Sequence, residues 1–369
     1  MLPPPWAPVL TDGRIVLRAH RPEDVPDLVD QCRDEATQRW TTVPVPYTTA
    51  HAADFVASRR AQWESGRHLS LAVEAGGRFL GTLDLRPTRD GAAEVSYILM
   101  PQARGRGTGE AALRLLLPWA FEALDLQVIH WQAAVGNWPS RRLAWRLGFG
   151  IESRVSGLIS QRGRLLDGWI GSLRRGRPLR PDRDWYRPPA ITGGPVMVRP
   201  VDGHDAEPMA EACSDVETQY WLPLLPAPYT LADARDHLLG IAEDQAGGRA
   251  LYWAVTAAGG DGRMLGEIGL QVRRHEAEVG YWTHPVGRRR GLTTAAVRLV
   301  ARHALLPEAD GGLGLSRVML RAAEGNLGSQ SIARRVGFRH TGTDRDGELL
   351  RDGTVLDMLR FDLLAEECP

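Results

Sequence analysis

The chain contains no lysine; all 45 of its basic residues are arginine. That absence excludes Schiff-base and pyridoxal-phosphate chemistry, the Walker A nucleotide site and the protein-kinase lysine. Cysteine is nearly as scarce. Cys32, Cys213 and Cys368 are too few and too scattered for a disulfide framework or a cysteine-rich zinc site, and the ten histidines show no H-E-x-x-H spacing, so no metal is expected. Neither sign of charge is in excess, 45 basic residues against 45 acidic, which argues against a nucleic-acid or anionic-membrane binder. The opening MLPPPWAPVLTDGR lacks the basic and apolar regions of a signal peptide, and no uncharged apolar run approaches the length of a membrane span. A reduced cytoplasmic compartment is the expectation.

What is present is a chain written twice. Its 369 residues are comfortable for two domains, and 43% hydrophobic with 24% charged residues is a globular composition. Arg14–Arg18 and Pro195–Arg199 open two segments that run in parallel through Asp24 and Asp205, Cys32 and Cys213, Trp40 and Trp221, and a Pro-Tyr-Thr beginning at Pro46 or Pro228. Glu94-Val-Ser-Tyr97 is answered by Glu278-Val-Gly-Tyr281. The only two asparagines, Asn137 and Asn326, each begin Asn-x-x-Ser followed after seven residues by Gly-Phe. The offset between copies grows from 181 to 184 to 189 residues, the last step falling at Gly311–Gly314. Domains are expected at 10–178 and 195–369, joined by an Arg/Pro/Gly-dense linker at 179–194.

Each copy reads as an α/β domain with a mixed sheet, in the order β-α-α-β-β-β-α-β-α-β-β. In the first copy helices are expected from Pro22 and over 52–63, 110–124 and 140–147. Strands are expected near 15–17, 69–73, 79–86, 93–100, 128–133, 151–160 and 165–173. The two-proline stretch 41–49 must be loop. Cys32 and Cys213 fall among apolar positions of the first helix and read as buried small hydrophobes rather than nucleophiles.

Chemistry points to the segment between the fourth strand and the next helix. Arg104-Gly105-Arg106-Gly107-Thr108-Gly109 lets the backbone turn its N–H groups inward, and the helix N-terminus adds positive potential, an arrangement suited to a pyrophosphate. The pattern recurs as Arg288-Arg289-Arg290-Gly291-Leu292-Thr293, with Thr293 crowding the position of Gly109. A dinucleotide-binding Rossmann fold would need its glycine loop after the first strand; here the loop is mid-domain.

Arg104-x-x-Gly107-x-Gly109 after that strand, then Asn137-x-x-Ser140 and Gly148-Phe149, resemble the GNAT superfamily of N-acetyltransferases. The Pro-Tyr-Thr segment and the Asn-to-Gly-Phe spacing are most similar to its RimJ/RimL branch, and the resemblance covers nearly the whole chain. It implies tandem acyl-CoA N-acyltransferase domains in which the strand before the loop splays from its neighbour, freeing backbone around Leu99 and Thr283 for the pantetheine arm of acetyl-CoA. Residues 104–109 and 288–293 would hold the pyrophosphate. Asn137 and Asn326 would meet the pantetheine or thioester region, their alternative being local turn capping.

The resemblance also implies direct attack by an amine in a ternary complex, with no acyl-enzyme. Glu94 and Glu278 would serve as bases, the alternative being ordinary strand carboxylates at the surface. Many relatives place a tyrosine acid where Ala144 and Ala333 stand here, so Ser140 and Ser329 are its expected substitutes, unless they only cap the short helix. Trp40 and Tyr47, with Trp221 and Tyr229, are expected to line the acceptor pockets. The acceptor would be a small-molecule amine or a protein N-terminus. Two other readings stay open: one working copy beside a degenerate acetyl-CoA module, and a non-catalytic acyl-CoA sensor. Symmetry alone allows the copies to pack as an intramolecular pseudo-dimer.

Overall fold

In a computed structural model, residues 7–368 are described. Met1–Trp6, part of the segment read as lacking a signal peptide, and Pro369, the end of the second expected domain, lie outside them. The chain divides into two compact units, Met1–Asp182 and Arg183–Pro369.

The first unit runs β1 (Leu10–Thr11), β2 (Val16–Arg18), α1 (Val25–Arg33), α2 (Glu35–Trp40), α3 (Thr49–Glu64), β3 (Leu69–Ala75), β4 (Arg78–Arg89), β5 (Ala92–Leu99), α4 (Thr108–Ala123), β6 (Val128–Ala134), α5 (Trp138–Arg146), β7 (Gly150–Gln161) and β8 (Arg164–Arg174). Its eight strands form one sheet in the order β1-β2-β3-β4-β5-β6-β8-β7, antiparallel except where β5 meets β6. The second unit repeats this with β9 (Ile191–Gly193), β10 (Val196–Pro200), α6 (Ala206–Cys213), α7 (Val216–Trp221), α8 (Leu231–Ala246), β11 (Ala250–Ala257), β12 (Gly266–Arg273), β13 (Glu276–Thr283), α9 (Leu292–Leu305), β14 (Arg317–Ala323), α10 (Leu327–Val336), β15 (Arg339–Leu349) and β16 (Val355–Leu364). Of the segment expected as linker, Ile191–Gly193 is the edge strand of the second sheet, paired with β10.

The mixed α/β class holds in both units. Each adds two elements to the expected order, a short edge strand at the start and a six-residue helix, α2 or α7, after the first long one. Asp34 starts α2 by accepting from the Thr37 N–H at 2.9 Å, and Asp215 starts α7 in the same way at 3.0 Å. The apolar stripe of α4 (Ala112, Leu113, Leu116, Leu117, Ala120) packs with Leu83, Leu85 and Val95 of the sheet as the main core. Ala296, Val297, Val300 and Ala304 of α9 do the same with Ile268, Leu270 and Val279.

A second, smaller cluster joins α1 and α3 to the sheet and contains Cys32 and Tyr47; its counterpart contains Cys213 and Tyr229. Burial pushes the thiol of Cys32 up to about 11 and that of Cys213 up to about 12, so both are inert at neutral pH.

Candidate active site

The parallel contact between β5 and β6 is short. It begins at Ala92 opposite Val128 and ends at Val95 opposite Trp131, so residues 96–99 continue without a β6 partner. In the second unit β13 leaves β14 after Glu278 opposite Met319. Each sheet is therefore split on the C-terminal side of this pair, as the resemblance implied. Glycine lets the other neighbour follow the splayed strand closely. A Cβ on Gly81 would lie 2.4 Å from the Ile98 carbonyl oxygen, and one on Gly266 would lie 2.6 Å from that of Trp282.

At the mouth of the split, Gly107 and Gly291 take left-handed backbone (φ 77° and 74°) as N-cap residues of α4 and α9. Neither helix has a side-chain cap. Their first-turn N–H groups, which every helix leaves without an internal partner, thus meet no competing protein oxygen from the cap. With the dipole added, the two N-termini fit a pyrophosphate. Gly105 has φ 69°, and at its counterpart Arg289 adopts φ 60° despite its side chain.

The loop arginines divide into two kinds. Arg106 is exposed, as are Arg289 and Arg290. Arg104 is turned inward, donating from Nε to the Leu99 carbonyl at 3.0 Å and from Nη2 to Asp34 at 2.6 Å and Thr37 at 2.9 Å. Arg288 likewise donates to Asp215, to Glu217 at 2.8 Å and to Thr218 at 2.9 Å. Both side chains tie the loop to the N-terminus of α2 or α7 and carry charge already matched by a carboxylate. The sequence assigns residues 104–109 and 288–293 to the pyrophosphate as a set and does not single out Asp34, Thr37, Asp215 or Thr218 as partners. A signal was there in the repeated Cys-x-Asp-x-x-Thr-Gln-x-Trp ending at Trp40 and Trp221.

Asn137 caps α5, accepting from the Ser140 N–H at 3.3 Å, and Asn326 caps α10, accepting from the Ser329 N–H at 3.0 Å. The capping role is thus occupied in both copies. It uses only the side-chain oxygen, and neither Nδ2 has a partner among the described residues, so the amide can still donate. Ser140 and Ser329 stand in the first turn of these helices. The Ser140 hydroxyl lies 2.7 Å from the Tyr97 hydroxyl and accepts from Trp131 Nε1 at 3.1 Å. Ser329 lies 2.9 Å from the hydroxyl of Tyr281. Tyr97 and Tyr281 are both on the splayed stretch of strand, and burial pushes each phenol up to about 12.

Glu94 and Glu278 lie at the root of the split. Strand side chains alternate faces, so Glu94 is on the face opposite Val95 and Tyr97, and Glu278 opposite Val279 and Tyr281. Val95 is packed with α4 and Tyr97 reaches α5; the carboxylates therefore address the other side of the sheet. The two copies differ here. Glu278 accepts from Arg321 Nε at 2.8 Å, whereas Gln132 occupies the matching first-unit position. Arg321 also borders a cavity of about 320 Å³ that Glu278 shares with Arg273, Arg317 and Arg360.

Of the aromatic residues expected at the acceptor pocket, two lie beside the asparagine turns and two lie in the core. The edge of Trp40 lies 3.5 Å from where a Cβ on Gly136 would be, and that of Trp221 lies 3.3 Å from the same point on Gly325, next to the two asparagines. Tyr47 and Tyr229 are core residues instead, 6% and 7% exposed. The proline-rich loop that carries each one folds the ring back onto the first helix. Among the described residues no group of three or more His, Cys, Asp or Glu is placed to hold a metal ion, and no helix is long and apolar enough to cross a membrane.

Comparison with known proteins follows the same twofold pattern. The profile of the Acetyltransferase (GNAT) domain matches residues 14–150 and again residues 196–339. The Bacillus subtilis protein YdaF, named provisionally as a ribosomal N-acetyltransferase, is 37% identical over 111 residues, which span 29% of this chain and 57% of YdaF. The Bacillus licheniformis protein p20, an uncharacterized N-acetyltransferase, is 26% identical over 165 residues, 43% of this chain and 92% of p20. Among solved structures, Mycobacterium smegmatis RimJ in complex with CoA-disulfide superimposes with a TM-score of 0.44 at 22% identity, covering 47% of this chain and 90% of RimJ.

Proposed function

The chain belongs to the GNAT acetyltransferase family, whose domain it carries twice, and from that membership we propose that it moves an acetyl group from acetyl-CoA to a primary amine by direct attack in a ternary complex. The observation that carries this reading is the placement of Glu94 and Ser140 on opposite faces of the sheet where β5 parts from β6. An amine that approaches on the Glu94 side can lose its proton there while the thiol departs on the Ser140 side, with no covalent intermediate on the protein.

In this reading the uncapped N-terminus of α4 and Arg106 hold the pyrophosphate, and the backbone of residues 96–99 receives the pantetheine arm. Asn137 donates from Nδ2 while capping α5. A backbone N–H of the splayed strand stabilises the tetrahedral oxyanion, which would explain why no side chain is reserved for that task. The second unit offers Arg289, Arg290, Asn326, Ser329 and Glu278 for the same roles. Trp40 and Trp221 border the acceptor side. The provisional name of YdaF supports a ribosomal amine as the first acceptor to try, ahead of small-molecule amines; a protein N-terminus is the form proposed, and the cytoplasm the compartment.

A second reading has its own observation. Thr283 and Thr293 are joined by a hydrogen bond of 2.6 Å at the head of the second split, where the first unit has Leu99 and Gly109. This favours a first unit that works and a second that holds acetyl-CoA weakly or only as a regulatory module. Initial-rate kinetics with acetyl-CoA and N-terminal peptides test the main reading. Intersecting double-reciprocal lines with release of free CoA thiol are expected; parallel lines would mean an acyl-enzyme and overturn it. A binding-only sensor would show no thiol release with any amine.

A further inference from the structure

We propose that Tyr97 in the first unit and Tyr281 in the second act through Ser140 and Ser329 as two-hydroxyl relays that deliver a proton to the departing thiolate. The inference rests on the acetyl-transfer reading above and assigns the tyrosines, which that reading leaves idle, as positioning and proton-supplying residues.

Serine alone is a poor acid for this task. Its hydroxyl is far less acidic than a thiol, so giving up a proton to the thiolate would leave an alkoxide. A phenol is much closer to the thiol in acidity. A tyrosine that refills serine as serine gives up its proton replaces the alkoxide with a phenolate. An S–H bond forms as the serine O–H breaks, the serine O–H re-forms with the tyrosine proton, and the phenolate recovers a proton from water. The amine's proton leaves separately on the carboxylate side.

The tyrosine–serine pairing recurs in both copies. Tyrosine stands on the strand segment that has left its parallel neighbour, and serine in the first turn of the following helix, with hydroxyl separations of 2.7 Å and 2.9 Å. Both helices fix their serine by an asparagine cap on its own N–H. Each phenol, ordinarily protonated at neutral pH and raised further by burial, is in the donor form.

Trp131 orients the first pair. An indole N–H can only donate, so its 3.1 Å contact fills one lone pair of Ser140. The other lone pair then receives the Tyr97 proton, which leaves the serine hydrogen free to point at the leaving group. The same phenol makes a longer contact, 3.3 Å, to the Ser140 carbonyl, a resting alternative that the shorter one outcompetes. Leu320 stands where Trp131 does, so the second pair lacks this orientation.

The test uses the full chain. Replacing both tyrosines (Tyr97→Phe with Tyr281→Phe) is expected to lower kcat about a hundredfold while the Kd for acetyl-CoA stays unchanged. A second measurement does not depend on the variant folding. In the parent protein, replacing tyrosine throughout by the more acidic 3-fluorotyrosine should move the alkaline limb of the kcat–pH profile to lower pH. That displacement should vanish in the double phenylalanine variant. Unchanged kcat in the variant, or an alkaline limb that ignores fluorotyrosine, overturns the relay and leaves acetyl transfer standing. A parent chain that transfers acetyl to no amine overturns both.

Discussion

The hydroxyls of Thr283 and Thr293 meet at 2.6 Å across the head of the second split, where the first unit packs Leu99 against the bare backbone of Gly109. The pair is a joint exchange. A Cβ on Gly109 would stand 3.1 Å from Leu99 Cδ1 and 3.0 Å from Leu143 Cδ2, so a threonine fits there only if the leucine shrinks as well. Gly109→Thr alone should destabilise the first unit by about 1–3 kcal/mol through overpacking and weaken its hold on acetyl-CoA. Adding Leu99→Thr should recover part of both, Leu143 still crowding the new side chain. Denaturant unfolding of the two variants measures the coupling, and additive losses would contradict the exchange.

Arg104 and Arg106 should separate in the same way that their side chains do. Arg104→Ala removes hydrogen bonds to Asp34, Thr37 and the Leu99 carbonyl, and should cost about 1–3 kcal/mol of stability. Arg106→Ala removes an exposed charge, and should leave stability unchanged while weakening acetyl-CoA about tenfold, with a reduced salt dependence. Thermal unfolding and calorimetric titration of each variant distinguish the two.

Glu278, the base proposed for the second unit, is restrained. Glu278 accepts from Arg321, whose own pKa is raised first by that hydrogen bond. Arg321→Gln, which installs the residue found at the first-unit position, should free Glu278 for the amine. Measured in a chain whose first unit carries Ser140→Ala, the remaining rate should rise about two- to fivefold, in keeping with a half-exposed pair. A fall would mean that Arg321 holds the acceptor instead.

The two units should respond to pH in opposite directions. His20 is buried between Phe55 and Phe79, and desolvation, aided by Arg59 and Arg18 and opposed by Asp84 and Asp24, lowers it from 6.5 to about 4. Between those values the unfolded chain binds a proton that the folded unit refuses. Stability is therefore full above the unfolded pKa and falls by about 3 kcal/mol as the pH drops through this window. His237 is the reverse case. Burial is the largest single influence and opposes the charge, but the hydrogen bond to Glu267, the charge of that carboxylate and that of Asp244 together outweigh it and raise the pKa. Its contribution is full below 6.5 and is lost as pH rises through the folded value. Differential scanning calorimetry should show first-unit and second-unit transitions moving apart on acidification, and His20→Leu should flatten the first.

Much of this architecture is legible in the residues because it is written twice. Coinciding Asn-x-x-Ser and Gly-Phe spacings identify the paired copies, and the glycine loop falls between strand and helix as its composition demands. What stays hidden is of two kinds. The helices α2 and α7 are six residues long, too short for a periodic signal, and rest on a single aspartate cap each. The second kind is direction. Tyr47 and Tyr229 sit on proline-rich loops that suggest exposure yet point into the core, and Arg104 points at Asp34 rather than at solvent. Tyr97 was in view as part of a repeated motif, but only the split of β5 from β6 brings it to Ser140.

The claim that both splits are donor clefts is tested most directly by titrating the full chain with acetyl-CoA, alongside Asn137→Asp and Asn326→Asp. Aspartate keeps the oxygen that caps each helix and removes only the Nδ2 donor, so folding and ligand contact are separated. Two sites per chain are expected, the second weaker, each lost or much weakened with its own asparagine. Absence of binding, or two sites indifferent to both substitutions, would contradict the account.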